Sequence, residues 1–101
     1  MNDVSVIIVS WNTRDLLDAC LASIYRQTRR ISFEVWVVDN GSSDGTPEMV
    51  RTKYPQVNLL EPAENLGFAR ANNLALRASR GRYVLFLNPD TELHSDVIMD
   101  F

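Results

Sequence analysis

The sequence predicts an α/β fold, a Rossmann-like parallel sheet of about four strands with helices on both faces. Three observations carry this expectation. Short apolar, β-branched runs recur at residues 4–9, 35–38, 57–60 and 83–87. Segments with helical spacing and capping residues separate them. Each connection is long enough to cross over and return the next strand parallel to the last.

The first run is almost wholly aliphatic, as suits a strand covered on both faces. It stops at Ser10-Trp11-Asn12, where Asn12 or Thr13 can cap a helix carrying Leu16, Leu17, Cys20, Leu21 and Ile24 on one stripe. The second run, Val35-Trp36-Val37-Val38, ends on Asp39 and a tight polar loop, Asn40-Gly41-Ser42-Ser43-Asp44-Gly45-Thr46. Thr46 is expected as the N-cap of a short helix with Pro47 at its first position, closed by Pro55. The third run is brief and suits a sheet edge. Asn65-Leu66-Gly67 then turns into a third helix with the stripe Phe68, Asn72, Ala75, Leu76 and Ser79, and Gly81 is placed to end it. Tyr83-Val84-Leu85-Phe86-Leu87 reads as a fourth buried strand running into Asn88-Pro89-Asp90, and Ser95 as the cap of a helix through Val97 and Ile98.

A length of 101 residues, with 46% hydrophobic and 23% charged residues, supports one folded domain or part of one. A net charge of −3, with ten Lys/Arg scattered along the chain, gives no basic patch, so nucleic acid is not expected as a partner. No run approaches the ~20 apolar residues of a bilayer span, and the N-terminus lacks signal-peptide character, so a soluble cytoplasmic domain is expected. The lone cysteine, Cys20, reads as a buried reduced thiol.

In a parallel sheet all strand ends point one way, so Ser10-Trp11-Asn12, Asp39-Asn40 and Asn88-Pro89-Asp90 gather along one carboxyl edge, where such sheets bind ligands. Asp90 can hold Mg²⁺ or Mn²⁺, ions that bind through one or two carboxylates with water and substrate phosphates completing the shell. Taken alone, Asn-Pro-Asp is more often a simple turn. Asp39 can accept from a ribose hydroxyl or a base N–H, or can close an Asx turn, and its own residues do not separate the two. Residues 42–46 read as helix-capping rather than phosphate-binding. The turn after the first strand holds no glycine and no P-loop lysine follows the second, which disfavours NAD and Walker-type chemistry. Trp11 can stack on a base or pack on loops, Arg70 can meet a base or phosphate, and His94 reads as a solvated loop residue. No serine–histidine or cysteine–histidine pair is apparent.

Four segments, VSVIIVSWN, VWVVDNGSSDGT, ENLGFARANNLAL and GRYVLFLNPD, in this order and spacing, resemble the N-terminal half of family 2 glycosyltransferases of GT-A fold, in particular the rhamnosyltransferase-like branch. The resemblance implies sugar transfer from a nucleotide-diphosphate sugar (UDP-, dTDP- or GDP-linked) to a saccharide or lipid-linked acceptor, with inversion and with Mg²⁺ or Mn²⁺. It implies a place in cell-envelope polysaccharide synthesis, peripheral to the membrane in the full-length protein. By resemblance, Ser10, Trp11 and Asn12 border the nucleoside, Asp39 accepts from base or ribose, Asn65, Gly67 and Arg70 shape the donor site, and Asp90 holds the metal. Asn88 replaces the first carboxylate of the family's Asp-x-Asp motif. The general base and acceptor region lie downstream in this family, so residues 1–101 are expected to be a truncated donor-binding part, inactive alone. A half-domain leaves a surface open, which raises homo-oligomer formation as a hypothesis. The alternatives are a non-catalytic nucleotide-binding or partner-docking module and, more weakly, a flavodoxin- or receiver-like domain, which would place acids after the first strand.

Overall fold

The computed structural model describes residues 2–95. Along the chain run β1 (Val4–Ser10), α1 (Arg14–Gln27), β2 (Phe33–Asp39), α2 (Thr46–Lys53), β3 (Asn58–Leu60), α3 (Phe68–Ala78) and β4 (Tyr83–Leu87). All strands are parallel, in the order β3-β2-β1-β4. The helix expected after Ser95 lies outside the described residues.

The central strand β1 is buried along its whole length, which accounts for its unbroken aliphatic character. Its alternate side chains feed two cores. Val4, Val6 and Ile8, with Val35 and Val37 of β2, pack beneath Leu17, Cys20, Leu21 and Ile24 of α1 and Val50 of α2. On the other face Ile7, Val9 and Val38 meet Ala71 and Ala75 of α3. Helices thus cover both faces, as expected. From β1 the chain steps through α1 and α2 to one side, then returns through α3 to β4 on the other, so the winding reverses between β1 and β4. Open α/β sheets bind ligands at that reversal point.

The structure corrects several local expectations. Leu16 and Leu76 are half-exposed, and of the expected α3 stripe only Ala75 is fully buried, joined by Ala71. Small side chains let that helix approach the sheet, and the bulky ones are displaced to its flank. β4 is an edge strand among the described residues, with Tyr83 and Phe86 exposed, rather than the buried strand expected. Helix α3 stops at Ala78 with Ser79 as its cap, so Gly81 does not terminate it. Gly45, at φ +86°, is the N-cap of α2, and Thr46 is its first residue with Pro47 next. Among the described residues, no helix is long and apolar enough to cross a membrane.

Candidate functional site

Parallel register sets the geometry of the carboxyl edge. Ser10 pairs with Asp39, and Ile8 pairs with Leu87, so the chain leaving β4 at Asn88-Pro89 comes level with the end of β1. Asp39 and Asn88-Pro89-Asp90 therefore flank Ser10 from opposite sides, separated by two strand spacings or roughly 10 Å. That span is on the scale of a nucleoside diphosphate.

Asp39 is buried, and its carboxylate closes the turn that follows it. Ser42 N–H donates to Oδ2 at 3.0 Å and Ser42 Oγ–H to Oδ1 at 2.6 Å. The Asx-turn reading is therefore correct for the ligand-free chain, and each carboxylate oxygen keeps a further lone pair for a second donor. Ser10 Oγ bonds Thr13 Oγ1 at 2.8 Å. Trp11 stands out from the end of β1 with 56% of its surface exposed. Asn12 does not present its amide to the open edge. Its Oδ1 accepts from Ser43 N–H at 2.8 Å and its own N–H donates to Ser42 Oγ at 2.8 Å, joining the first loop to the second.

Asn40, which is buried, fastens the third loop. Its Oδ1 accepts from Leu66 N–H at 2.9 Å and its Nδ2 donates to the Gly67 carbonyl at 3.2 Å. Gly67 takes φ +77°, a conformation that favours glycine, and its N–H meets Asn65 Oδ1 at 2.8 Å. Asn65 and Gly67 are thereby brought to the Asp39 loop. Arg70 follows on the first turn of α3, in a cleft of about 310 Å³ with Leu66, Asn73, Leu74 and Arg77. Sequence reasoning recognised residues 40–46 as a turn but missed Asn40 and Asp44 as fasteners, because their partners lie in other loops.

Asp44 binds the start of α1. Its Oδ2 accepts from Arg14 N–H at 3.0 Å, capping a helix whose own N-cap residue, Thr13, makes no side-chain cap bond. Burial alone would raise the Asp44 pKa, but hydrogen bonds from Thr46 and from the Arg14 N–H outweigh it and hold the carboxyl below its ordinary 3.8. Asp18 is lowered in the same way against its burial by Lys53 and Tyr54, and Glu34 by Ser5 and the Arg80 N–H. A depressed carboxylate stabilises the fold above its unfolded pKa and loses that contribution as pH falls through the folded value. We expect the urea midpoint to be flat near neutrality and to fall below about pH 4, with Asp44→Asn reducing the fall. A midpoint unchanged at pH 3 would contradict this.

Asp90 is exposed and, among the described residues, has no hydrogen-bond or ion-pair partner. The backbone around it is held. Thr91 N–H donates to the Asn88 carbonyl at 3.0 Å, and Leu93 N–H to Ser23 Oγ on α1 at 2.9 Å. Cys20 lies buried beneath this segment, and its thiol is pushed up to about 12 by burial, with the Asp90 charge adding to the effect. It is a structural thiol rather than a nucleophile. Among the described residues no three His, Cys, Asp or Glu side chains converge as a ready-made metal cage. Asp90 fits a divalent ion as a single hard oxygen ligand whose remaining shell comes from phosphates and water. A cleft of about 290 Å³ adjoins the loop junction, lined by Asn12, Thr13, Arg14, Asp15, Leu16 and Asp44.

A parallel α/β sheet that gathers acidic and amide side chains at its winding reversal defines a ligand-binding domain of the doubly wound class. Within that class the chain belongs to glycosyl transferase family 2, whose family model matches residues 5–100. It is 38% identical over 95 residues to glycosyltransferase AglE of Haloferax volcanii, covering 90% of this chain and 31% of that protein. To the poly(ribitol-phosphate) beta-glucosyltransferase of Bacillus spizizenii it is 30% identical over 101 residues, covering 95% of this chain and 16% of the relative. Among solved structures, the mannosyltransferase PcManGT of Pyrobaculum calidifontis, in complex with GDP-Man and Mn²⁺, superposes with a TM-score of 0.85 at 35% identity, covering 97% of this chain and 30% of that one. TarS 1-349 of S. aureus, in complex with UDP-GlcNAc, gives a TM-score of 0.82 at 28% identity, covering 97% and 29%. The chain thus spans about a third or less of the length of these proteins. The expected family and GT-A-type sheet are both found.

Proposed function

We propose that residues 1–101 form the donor-binding part of a metal-dependent, inverting glycosyltransferase. The observation that carries this reading is the placement of Asp39 and Asn88-Pro89-Asp90 on either side of Ser10 at the winding reversal, in a chain of this family. The nucleoside lies along Trp11 and Asp39, the diphosphate points toward Asp90, and Asn65 and Gly67 complete the wall that Asn40 fastens. Arg70, on the first turn of α3, would meet a base or phosphate.

Asp90 is the residue that would hold Mg²⁺ or Mn²⁺. When bound there, the ion would supply charge neutralisation for a nucleoside diphosphate leaving group. With Asn88 in place of a carboxylate, the Asn88-Pro89-Asp90 turn offers that ion one acidic ligand, and the amide would meet a ribose hydroxyl. No residue of this chain is assigned as general base. That role, with the saccharide or lipid-linked acceptor site, belongs to the downstream part of a longer protein, and this chain alone is inactive in transfer. The bound ligands of the solved relatives, GDP-Man with Mn²⁺ and UDP-GlcNAc, support a nucleotide sugar as donor. The names of relatives that build teichoic acid and succinoglycan support a cell-envelope polysaccharide as product. The β4 edge, unpaired among the described residues, is the surface through which the chain would self-associate.

The test is calorimetric titration with UDP, dTDP and GDP, each with and without Mn²⁺. At least one is expected to bind, more tightly with the metal. A folded chain that binds none of them overturns the reading.

A further inference from the structure

We infer that Asn12 is a positioning residue that holds Trp11 and Asp39 in fixed relation across two loops. The inference rests on the proposed role of Asp39 as a nucleoside contact. Asn12 is the one non-glycine residue among those described with positive φ, +51°. Such a conformation in a residue next to a ligand edge needs a reason, and asparagine tolerates it better than most side chains. Here it lets a single residue bond the neighbouring loop twice. The backbone N–H reaches Ser42 Oγ and the side-chain Oδ1 receives Ser43 N–H.

The Ser42 hydroxyl is shared. Having accepted from Asn12 N–H, it spends its own proton on Asp39 Oδ1 at 2.6 Å. A continuous path of hydrogen bonds therefore runs from the residue following Trp11 to the carboxylate of Asp39. Among the described residues Trp11 has no hydrogen-bond partner, and it is largely exposed, so its position is set by the backbone on either side, Ser10 in β1 and Asn12. With this junction intact, the aromatic ring and the carboxylate are presented to a nucleoside without an ordering cost at binding. With it broken, the two loops move separately.

Two substitutions at one position separate the junction from the backbone. Asn12→Gly permits positive φ but removes the acceptor for Ser43 N–H, whereas Asn12→Asp keeps an acceptor and tolerates the conformation. The variants are compared in binding UDP, dTDP and GDP with Mn²⁺, and in the ¹⁵N relaxation of the Trp11 indole N–H in ligand-free protein. Asn12→Gly is expected to weaken the nucleotide that binds the parent by about threefold to tenfold, the scale of one lost net hydrogen bond, and to mobilise the indole. Asn12→Asp restores both. If Asn12→Gly does not fold, Ser42→Ala, which removes the shared hydroxyl, carries the same expectation. Parent-like affinity and indole order in Asn12→Gly, with Asp39→Ala still impaired, overturn the positioning role alone. Unaltered binding in Asp39→Ala overturns the nucleoside reading on which it rests, and the ligand-free indole order still reports on the junction.

Discussion

Replacing Gly81 with alanine is expected to lower the melting temperature by about 10 °C or more, the largest stability loss from one methyl group in this chain. Gly81 lies in the turn between α3 and β4, and its N–H donates to Ser5 Oγ at 2.7 Å. A Cβ there would stand 2.4 Å from the Ser5 nitrogen and 2.7 Å from the Val4 carbonyl carbon. Both are backbone atoms of β1, which is paired on both sides and buried on both faces, so neither can retreat. Ser5 is tied further, through a 2.6 Å bond to Glu34, whose carboxylate also accepts from Arg80 N–H. Forcing the turn away from β1 breaks this cluster. The cost belongs at the upper end of the ~1–3 kcal/mol for overpacking. Calorimetric melting of the variant within about 3 °C of the parent would show that the turn yields more easily than this contact allows.

Asp90→Ala and Asp39→Ala are expected to impair nucleotide binding in different ways. Asp90→Ala removes the enhancement by Mn²⁺ and leaves metal-free affinity close to that of the parent, since its carboxylate bonds nothing else among the described residues. Asp39→Ala weakens binding with or without metal by about tenfold to a hundredfold, the scale of a hydrogen bond to a charged group. Because Asp39 also closes the turn at Ser42, Asp39→Asn is the control that keeps an acceptor for the Ser42 N–H. Identical behaviour of the two alanine variants in titrations with and without Mn²⁺ would refute the division of roles.

Much of the fold was legible because burial writes itself into local composition. Strand β1 read as buried on both faces from its aliphatic run alone, and Cys20 read as a core thiol from its helical spacing. The errors have an equally local origin. Periodicity placed Ala75 on the buried stripe of α3 but also gave weight to Phe68 and Leu76, whereas close helix–sheet approach selected Ala71 beside Ala75. The apolar residues of β4 suggested burial, yet a strand's own composition does not say what lies beside it. Asp39 remained balanced between turn and ligand because an Asx turn and a binding carboxylate use the same residue, and the structure has it closing the turn with lone pairs to spare.

By itself the sequence determined the order of strands and helices, the parallel sheet, and the delivery of Ser10, Asp39 and Asn88-Pro89-Asp90 to strand ends. These follow from hydrophobic spacing and turn chemistry, which act between near neighbours. Only the tertiary structure decided that β1 is central, that the winding reverses between β1 and β4, and that Asn12 and Asn40 serve the junctions between loops. Strand order follows from long-range packing of the buried faces, and the loop junctions from directional hydrogen bonds between residues about thirty positions apart, such as Asn12 and Ser42. Such bonds exist only once strand pairing has set which loops lie side by side.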